Sequence, residues 1–544
     1  MKGAHVFVRL GVVLVAIVLV AGMFNPAPHT GGDNAGYISL AHSLAQGDGY
    51  QEQWDPEEPP HTKYPPVFPL ILAVAMLLGA KSWVSLKMVP VAFTLLSVLF
   101  TYLWVRGREG MALAVGIALL VALSDGVLYY SRWILSDPTF LALTLGAFWA
   151  LDRKEGKPRL AWGFALVVLA YLTRSAGIPL VLATGLWLGL SRRWRALVAF
   201  AVAFCLPAGW WWLRGRAVGT DQYVAEFWLL DPYQPDLGRA GVADLLARVG
   251  QNLQLYVTQI LPEGIVGMEG PFLAPLGMGL VLIALVGWFR RIRENVGVTE
   301  LFLPLYAGLM LLWPVVWSGD RFALPVLPLL FFYAVLGLRW LLGSFSPGIL
   351  RGALLLTFLL LAVPAATSWT QEARTARQCA TRLEREPDPF GCYPENIREY
   401  AEMARWAGQN LPAGSAVVTR KPRIFFVLSG VKTQSLPLTT DPEAFLAAAA
   451  AKGSRYVTLD RWDGLAGYYV PPVVQDRSRR FCYVTRIPPG EGGGTSMLGI
   501  LDTPLAEGAE EGLARCPEDM VTGAVPRPAS PPDGTIPLLS WSRD

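Results

Sequence analysis

The chain has 544 residues, 53% of them hydrophobic and 16% charged, with 20 Trp and a formal net charge of +4, and its mean hydropathy is +0.39. Average soluble domains carry about 25% charged residues, so this composition excludes a disordered chain, a collagen-like chain and an ordinary soluble enzyme. It points to a protein that uses lipid as part of its solvent; the small net charge says little about partners.

Apolar stretches separated by short polar loops fill residues 1–369. The first runs from Phe7 to Phe24. Phe24-Asn25-Pro26 is a poor small-residue cleavage site and more spans follow, so this stretch reads as a retained helix rather than a removed signal peptide. Further spans are predicted near 86–105, 111–129, 136–151, 160–173, 176–190, 196–213, 272–289, 299–317, 322–343 and 351–368. That makes about eleven transmembrane helices, several of them shorter than the roughly 20 residues a bilayer crossing takes.

Segment 65–80 decides the parity, because every later loop changes sides if it crosses. The short loops hold Arg106, Arg108, Arg153, Lys154, Lys157, Arg159, Arg192, Arg193, Arg195, Arg290, Arg291 and Arg293. Cytoplasmic loops collect Lys and Arg. These loops share the side of Lys2 and Arg9 only if 65–80 stays on the surface, so it is predicted to lie at the outer interface, with Lys81 and Lys87 outside. The N-terminus is then cytoplasmic. The outer face carries residues 25–85, the 131–137 loop, Thr173 and Arg174, the long 214–271 loop, residues 318–321 and everything after 369. This topology fits a bacterial inner membrane.

Residues 370–520 contain no spanning stretch. Helix-like runs at 396–410, 422–429 and 441–452 alternate with strand-like runs at 416–419, 455–460 and 481–487, which predicts a small extracytoplasmic α/β domain. Asp441-Pro442 reads as a helix N-cap followed by a first-turn proline. Residues 521–544 read as a flexible Pro-rich tail. Of five cysteines, Cys205 sits in an apolar span, where a free thiol behaves as a small hydrophobe. Cys379, Cys392, Cys482 and Cys516 lie in the outer domain, where two disulfides are expected. Three pairings are open; Cys379–Cys392 with Cys482–Cys516 is the simplest.

Charged groups near a bilayer are costly unless they have a use, and the first outer loop is rich in them. It reads Asp33, Tyr37, Ala41, Leu44, Gly47, Gly49-Tyr50, then Glu57-Glu58-Pro59-Pro60-His61-Thr62-Lys63-Tyr64-Pro65-Pro66. This pattern resembles the first outer loop of GT-C class membrane glycosyltransferases, in the branch with the protein O-mannosyltransferases and the lipid A aminoarabinose transferase. The resemblance continues at Ser131-Arg132 through Ser136-Asp137, at Leu172-Thr173-Arg174-Ser175-Ala176-Gly177 and at Asp320-Arg321-Phe322 with Pro325 and Pro328, so it covers most of residues 1–340. It implies a GT-C-like catalytic domain over 1–369 and transfer of a sugar from a polyprenyl-phosphate donor to an acceptor on the outer face. It also implies that Asp33 is the essential carboxylate and that Asp137 shares its site.

The chemistry asks for the same residue types. Displacing phosphate from an anomeric carbon needs a carboxylate in reach of the acceptor hydroxyl, and fixed cations or a metal on the leaving phosphate. Lys63, Arg174 and Arg321 are the cations on the outer face, and the planar guanidinium fork suits a phosphate. Tyr37, Glu57, Glu58, His61 and Asp320 are further candidates. Asp33, Asp137 and His61 could supply hard ligands to a divalent cation, a requirement the residues leave open.

Plainer readings stand beside these. Asp33 and Asp137 each fit a helix N-cap. Lys63 fits a side chain snorkelling to headgroups. Arg174 fits a buried structural pairing, and Asp320 and Arg321 could pair with each other. Glu57 and Glu58 fit a solvated loop, with His61 a loop residue. Trp210-Trp211-Trp212 fits an interfacial belt.

The sequence therefore predicts an inverting glycosyltransferase in contact with membrane lipid, with Asp33 as general base. The acceptor (protein, lipid A, glycan or another lipid) is not specified, and no nucleic acid is expected. The 214–271 loop and the outer domain are expected to shape the acceptor site. The rival functions are a transporter or flippase of lipid-linked sugars, which would need ionisable groups at mid-membrane depth and often repeats, a polysaccharide polymerase or ligase, and a scaffold that presents the outer domain.

Overall fold

The computed structural model describes residues 2–152, 158–218, 222–232, 234, 237–386, 388–488, 493–504, 513–521 and 534–540. Arg153, Lys154 and Lys157 of the second basic loop, and residues 522–533 and 541–544 of the Pro-rich tail, lie outside the described residues. The chain divides into two compact units. One comprises Met1–Phe24, Thr62–Phe68 and Lys87–Arg377; the other comprises Asn25–His61, Pro69–Leu86 and Gln378–Asp544.

The first unit is helical. Every apolar stretch read from the sequence folds as helix, because an apolar segment in lipid satisfies its backbone only within itself. Among the described residues five helices are long and apolar enough to cross a bilayer by length and composition: Val6–Met23, Trp83–Glu109, Trp194–Val218, Leu273–Glu294 and Pro347–Arg385. Met111–Leu123 and Asp125–Ser131 form a sixth candidate, a pair bent by 58°. The other stretches fold as shorter helices, Asp137–Leu151, Leu160–Thr173, Ser175–Leu190, Val298–Leu312 and Leu327–Leu341. At 1.5 Å per residue such helices reach only about 22 Å, against about 30 Å of hydrocarbon. Burial offsets their shortness. Nearly all of Asp137–Leu151 is enclosed by other helices, whereas much of Trp194–Val218 is exposed. In that helix Trp211 is buried while Trp210 and Trp212 are exposed, as suits an interfacial belt.

Three cations read as loop charges are interior instead. Lys87 is a helical residue of Trp83–Glu109, fully buried, with its ammonium 4.7 Å from the centre of the Trp133 ring. Its helix starts before the apolar run does, and the aromatic face shields the charge. Arg108 and Arg291 join a closed ionic network. Arg108 donates to Glu300 (2.7 Å) and Thr299 (2.7 Å) and pairs with Asp152. Glu300 also accepts from Tyr333 (2.9 Å) and the Gly297 backbone (2.9 Å) and lies 4.0 Å from Arg291. Every charge here has a partner, which is the condition for keeping it buried.

The second unit holds the α/β fold expected of the C-terminal segment. Among the described residues its strands are β1 (Ala416–Thr419), β2 (Lys432–Ser435), β3 (Tyr456–Leu459), β4 (Phe481–Ile487) and β5 (Thr495–Ile500), in the order β2-β1-β3-β5-β4. β1 runs parallel to β2 and β3, and β5 runs antiparallel to β3 and β4. Helices Glu395–Asn410, Pro422–Ser429 and Pro442–Ala451 fall where the pattern placed them, and Asp441 caps the last through the Glu443 N–H (3.0 Å). The disulfides are Cys379–Cys392 and Cys482–Cys516. Inside the tail, Ile536 and Leu538 are buried and Pro537–Ser540 is helical.

Candidate active site

In the first unit three predicted residues from distant parts of the chain meet. Asp137 is the first residue of Asp137–Leu151; Ser136 occupies the N-cap, with Pro138 in the first turn. Asp137 is therefore not the cap. Its carboxylate sits at the positive end of the helix dipole and is almost completely buried. Arg321 grips it as a fork, with Nε at 3.3 and 3.2 Å from the two oxygens and Nη2 at 3.0 Å from Oδ2. Arg174 donates Nη1 to the other side, to Asp137 Oδ1, and reaches Ser136 Oγ at 3.4 Å. The guanidinium side chains stay partly open, at 15% exposure for Arg174 and 29% for Arg321, against 1% for Asp137.

Backbone breaks make this meeting possible. Leu160–Thr173 ends at Arg174, whose extended backbone (φ −148°, ψ 132°) turns the chain into the short Ser175–Gly177 helix. A Cβ on Gly177 would stand 2.8 Å from the Tyr171 backbone, so only glycine permits this tight return. Arg321 lies in the four-residue Asp320–Ala323 turn, itself preceded by extended Gly319.

Asp320 does not hold the Arg321 side chain. Its Oδ1 accepts from the Tyr130 hydroxyl (2.7 Å) and the Arg321 backbone N–H (3.1 Å). Arg132 turns to Glu372 (2.9 Å). Lys63 pairs with Glu226 (3.1 and 3.0 Å) and lies 5.3 Å from the centre of the Trp317 ring, so it is held by protein rather than extended toward headgroups. Sequence reasoning missed Tyr130, Glu226 and Trp317. Glu226 sits in the long 214–271 loop, which carries no motif, whereas Tyr130 adjoins a quoted one.

The remaining candidates belong to the second unit. Asp33 is the second residue of the half-buried start of Gly32–Gln46, and Gly31 takes the N-cap without a side-chain bond, so the capping role falls away. Tyr37, one turn later on the same helix face, is buried. His61 is buried and bonds Glu52 through Nδ1 (2.6 Å). Burial alone would raise the Glu52 carboxyl, but Arg423 at 3.0 Å and the His61 and Trp54 contacts outweigh it and hold the group at about 2. Glu58 pairs with Lys432, while Glu57 is exposed, with Lys452 4.0 Å away.

Among the described residues no group of three or more His, Cys, Asp or Glu could hold a metal ion. The donor set at Asp137 is one carboxylate shared by two guanidinium groups, which does not suit a divalent cation.

No protein-family model matches this chain, and no curated protein does. Solved structures do. The Archaeoglobus fulgidus oligosaccharyltransferase, in a complex with zinc and sulfate, aligns over 89% of this chain and 72% of its own with a TM-score of 0.56 at 14% identity. ArnT from Cupriavidus metallidurans aligns over 91% of this chain and 98% of its own, with a TM-score of 0.56 at 12% identity in the apo state. Its complex with undecaprenyl phosphate gives 0.54 at the same identity and coverage. The chain has the GT-C fold. It is a polytopic helical membrane protein with a C-terminal sheet domain, and at these identities the shared property is that fold. Within the GT-C fold of this chain, the Asp137–Arg174–Arg321 cluster is a polar centre built at helix breaks, and its two arginines stay partly exposed.

Proposed function

We propose that this chain is an integral membrane glycosyltransferase that moves a sugar from a polyprenyl-phosphate carrier to an acceptor hydroxyl. The observation that carries the reading is the grip of Arg174 and Arg321 on Asp137 in a chain with the GT-C fold. One carboxylate orients two planar forks whose outer faces remain partly exposed, and such forks match the oxygens of a leaving phosphate. The undecaprenyl phosphate found on the structurally similar ArnT is a ligand of the chemistry these cations would take.

The reaction follows as a displacement. The acceptor oxygen bonds to the anomeric carbon while the bond from that carbon to the phosphate oxygen breaks, with inversion. Asp33 takes the hydroxyl proton as general base. Arg321, Arg174 and Lys63 meet the charge growing on the departing polyprenyl phosphate, with Asp137 holding the two arginines in place. Lys63 and the arginines rest on carboxylates, so the incoming phosphate exchanges partners with Glu226 or shares the forks with Asp137. No step uses a metal.

The membrane placement belongs to the same proposal: N-terminus in the cytoplasm, second unit outside, in a bacterial inner membrane. Disulfides persist in oxidising compartments, and both lie in or at the border of the C-terminal segment. Basic loops containing Arg106, Arg159 and Arg192 favour the opposite side.

The test is a transfer assay on the full chain in membranes, supplied with a panel of polyprenyl-phosphate-linked sugars. Asp33→Asn should keep expression and folding while transfer falls about 10²–10⁴-fold. Near-normal transfer by that variant sinks the assignment of the base.

A further inference from the structure

The C-terminal sheet leaves β2 at its edge, and an unpaired edge exposes a row of N–H and C=O groups that must be satisfied. Residues 50–61 of the first outer loop cover it. They form a small hairpin of their own, with Glu52 N–H on Pro59 O (2.9 Å) and His61 N–H on Tyr50 O (2.9 Å). From this hairpin the Trp54 carbonyl accepts the edge N–H of Thr433 (2.7 Å), and the Gln53 carbonyl accepts from Lys432 Nζ (2.6 Å).

Three ion pairs flank these bonds. Arg423 meets Glu52 at 3.0 Å and lies over the Trp54 ring, Lys432 meets Glu58, and Lys452 meets the buried Asp55. Glu58 adopts a positive φ of 48°, a conformation that a non-glycine residue keeps only when its surroundings impose it. The hairpin is in turn bonded to the helix that carries Asp33. His42 meets Gln53 (3.0 Å), Gln53 donates to Asp48 (2.7 Å), and Ser43 donates to the Gly49 carbonyl (2.9 Å). That helix, Gly32–Gln46, also packs on Pro422–Ser429 of the sheet domain.

We propose that the sheet domain is a positioning device: Arg423, Lys432 and Lys452 hold Glu52, Glu58 and Asp55, and through that hairpin the segment bearing Asp33. The consequence for transfer rests on the reading of Asp33 as the base; the hold on the hairpin does not. Glu58, Glu52 and His61 then act through the clamp and do not touch substrate.

The test uses the full chain in membranes and charge reversal. Lys432→Glu and Glu58→Lys are made singly and together, and hydrogen exchange of residues 50–61 is read beside transfer. Each single reversal should raise exchange in the hairpin about tenfold while the sheet core stays protected. It should also lower kcat about tenfold with donor KM within about twofold. The double swap should restore both to within about twofold, the coupling expected of neighbours. Unchanged exchange in the single variants overturns the clamp, whatever transfer does. Raised exchange with unchanged kcat overturns the positioning role and leaves the transferase reading standing. A swap that restores neither readout, in a chain whose sheet core stays protected, also overturns it. If the wild-type chain transfers no sugar, the transferase reading fails and the exchange measurements alone decide the clamp.

Discussion

The first unit contains two arginine–carboxylate clusters that invite comparison. Around Arg108 the side chains of Arg108, Asp152 and Glu300 are 3%, 9% and 0% exposed, and hydroxyl and backbone donors fill in around them. Around Asp137 the carboxylate is equally buried, but its arginines remain partly open. The difference lies in what each arrangement has left to do. A closed network ties the ends of helices Trp83–Glu109, Asp137–Leu151 and Val298–Leu312 and offers nothing to a ligand. A half-open one holds its cations in register at the breaks of two helices with part of each arginine side chain exposed, which under the proposed function is where the donor phosphate would enter.

Breaking the closed cluster should have the largest effect on the protein. Arg108→Leu leaves Asp152 and Glu300 buried without their shared cation, and truncating one partner of such a network costs about 3–5 kcal/mol. Thermal unfolding of the purified protein in detergent should show a transition many degrees lower. The surviving folded fraction should keep its transfer rate per molecule. A variant as stable as the wild type would mean that the network is dispensable and the contrast is misdrawn.

The half-open cluster should respond in the opposite way. Asp137→Asn keeps the shape and some hydrogen bonding but removes the charge that orders two guanidinium groups. Transfer should drop about 10²-fold, the scale of one misplaced electrostatic group, while the unfolding temperature moves far less than in Arg108→Leu. If Asp137→Asn instead unfolds the protein and leaves the rate of the folded fraction intact, Asp137 is a structural anchor, and the two clusters are of one kind.

This contrast also marks how far the sequence could be read. Hydropathy located the apolar helices of the first unit, because apolar runs are a local property, but not helices Val242–Leu255 and Leu261–Val266 inside the 214–271 loop. It could not tell which of the apolar helices reach across a bilayer, because Asp137–Leu151 and its short neighbours depend on being wrapped by other helices. In the second unit β1, β3 and β4 were legible as apolar runs. β2 (KTQS) is polar and sits at the edge, and β5 follows a glycine run, so both were missed. Helix Leu465–Asp476, which carries Pro471 and Pro472 in its interior, was missed as well. Asp137, Arg174 and Arg321 stood out singly, in the motifs that resemble the GT-C class; that two arginines would share one carboxylate was a property of the fold. Glu57, Glu58 and His61 stood out in the first outer loop, where charge beside lipid is costly, but the fold attaches Glu58 and His61 to partners in the second unit.

A buried carboxyl without an arginine grip sharpens the comparison further. Asp460, just beyond β3, accepts hydrogen bonds from neutral donors only, the Thr458 hydroxyl (3.2 Å) and the Trp462 N–H (3.0 Å). Burial pushes its carboxyl up from 3.8 to about 6, against the lowering by those bonds. Glu52, gripped by Arg423, goes the other way, to about 2. The two signs separate on titration. A raised carboxyl favours the folded state at low pH, so the contribution of Asp460 is fully present below about 4 and is lost as pH rises through about 6. That of Glu52 is present above about 4.5 and is lost only as pH falls toward 2. Of these two carboxyls only Asp460 titrates between pH 7 and pH 5, and its titration should stabilise the second unit by on the order of 1 kcal/mol. Hydrogen exchange of β1 and β3 at the two pH values, corrected for intrinsic rates, reads this directly. Asp460→Asn should flatten the trend and Glu52→Gln should not. A trend that survives Asp460→Asn would assign the titration to another group and remove the third member of the comparison.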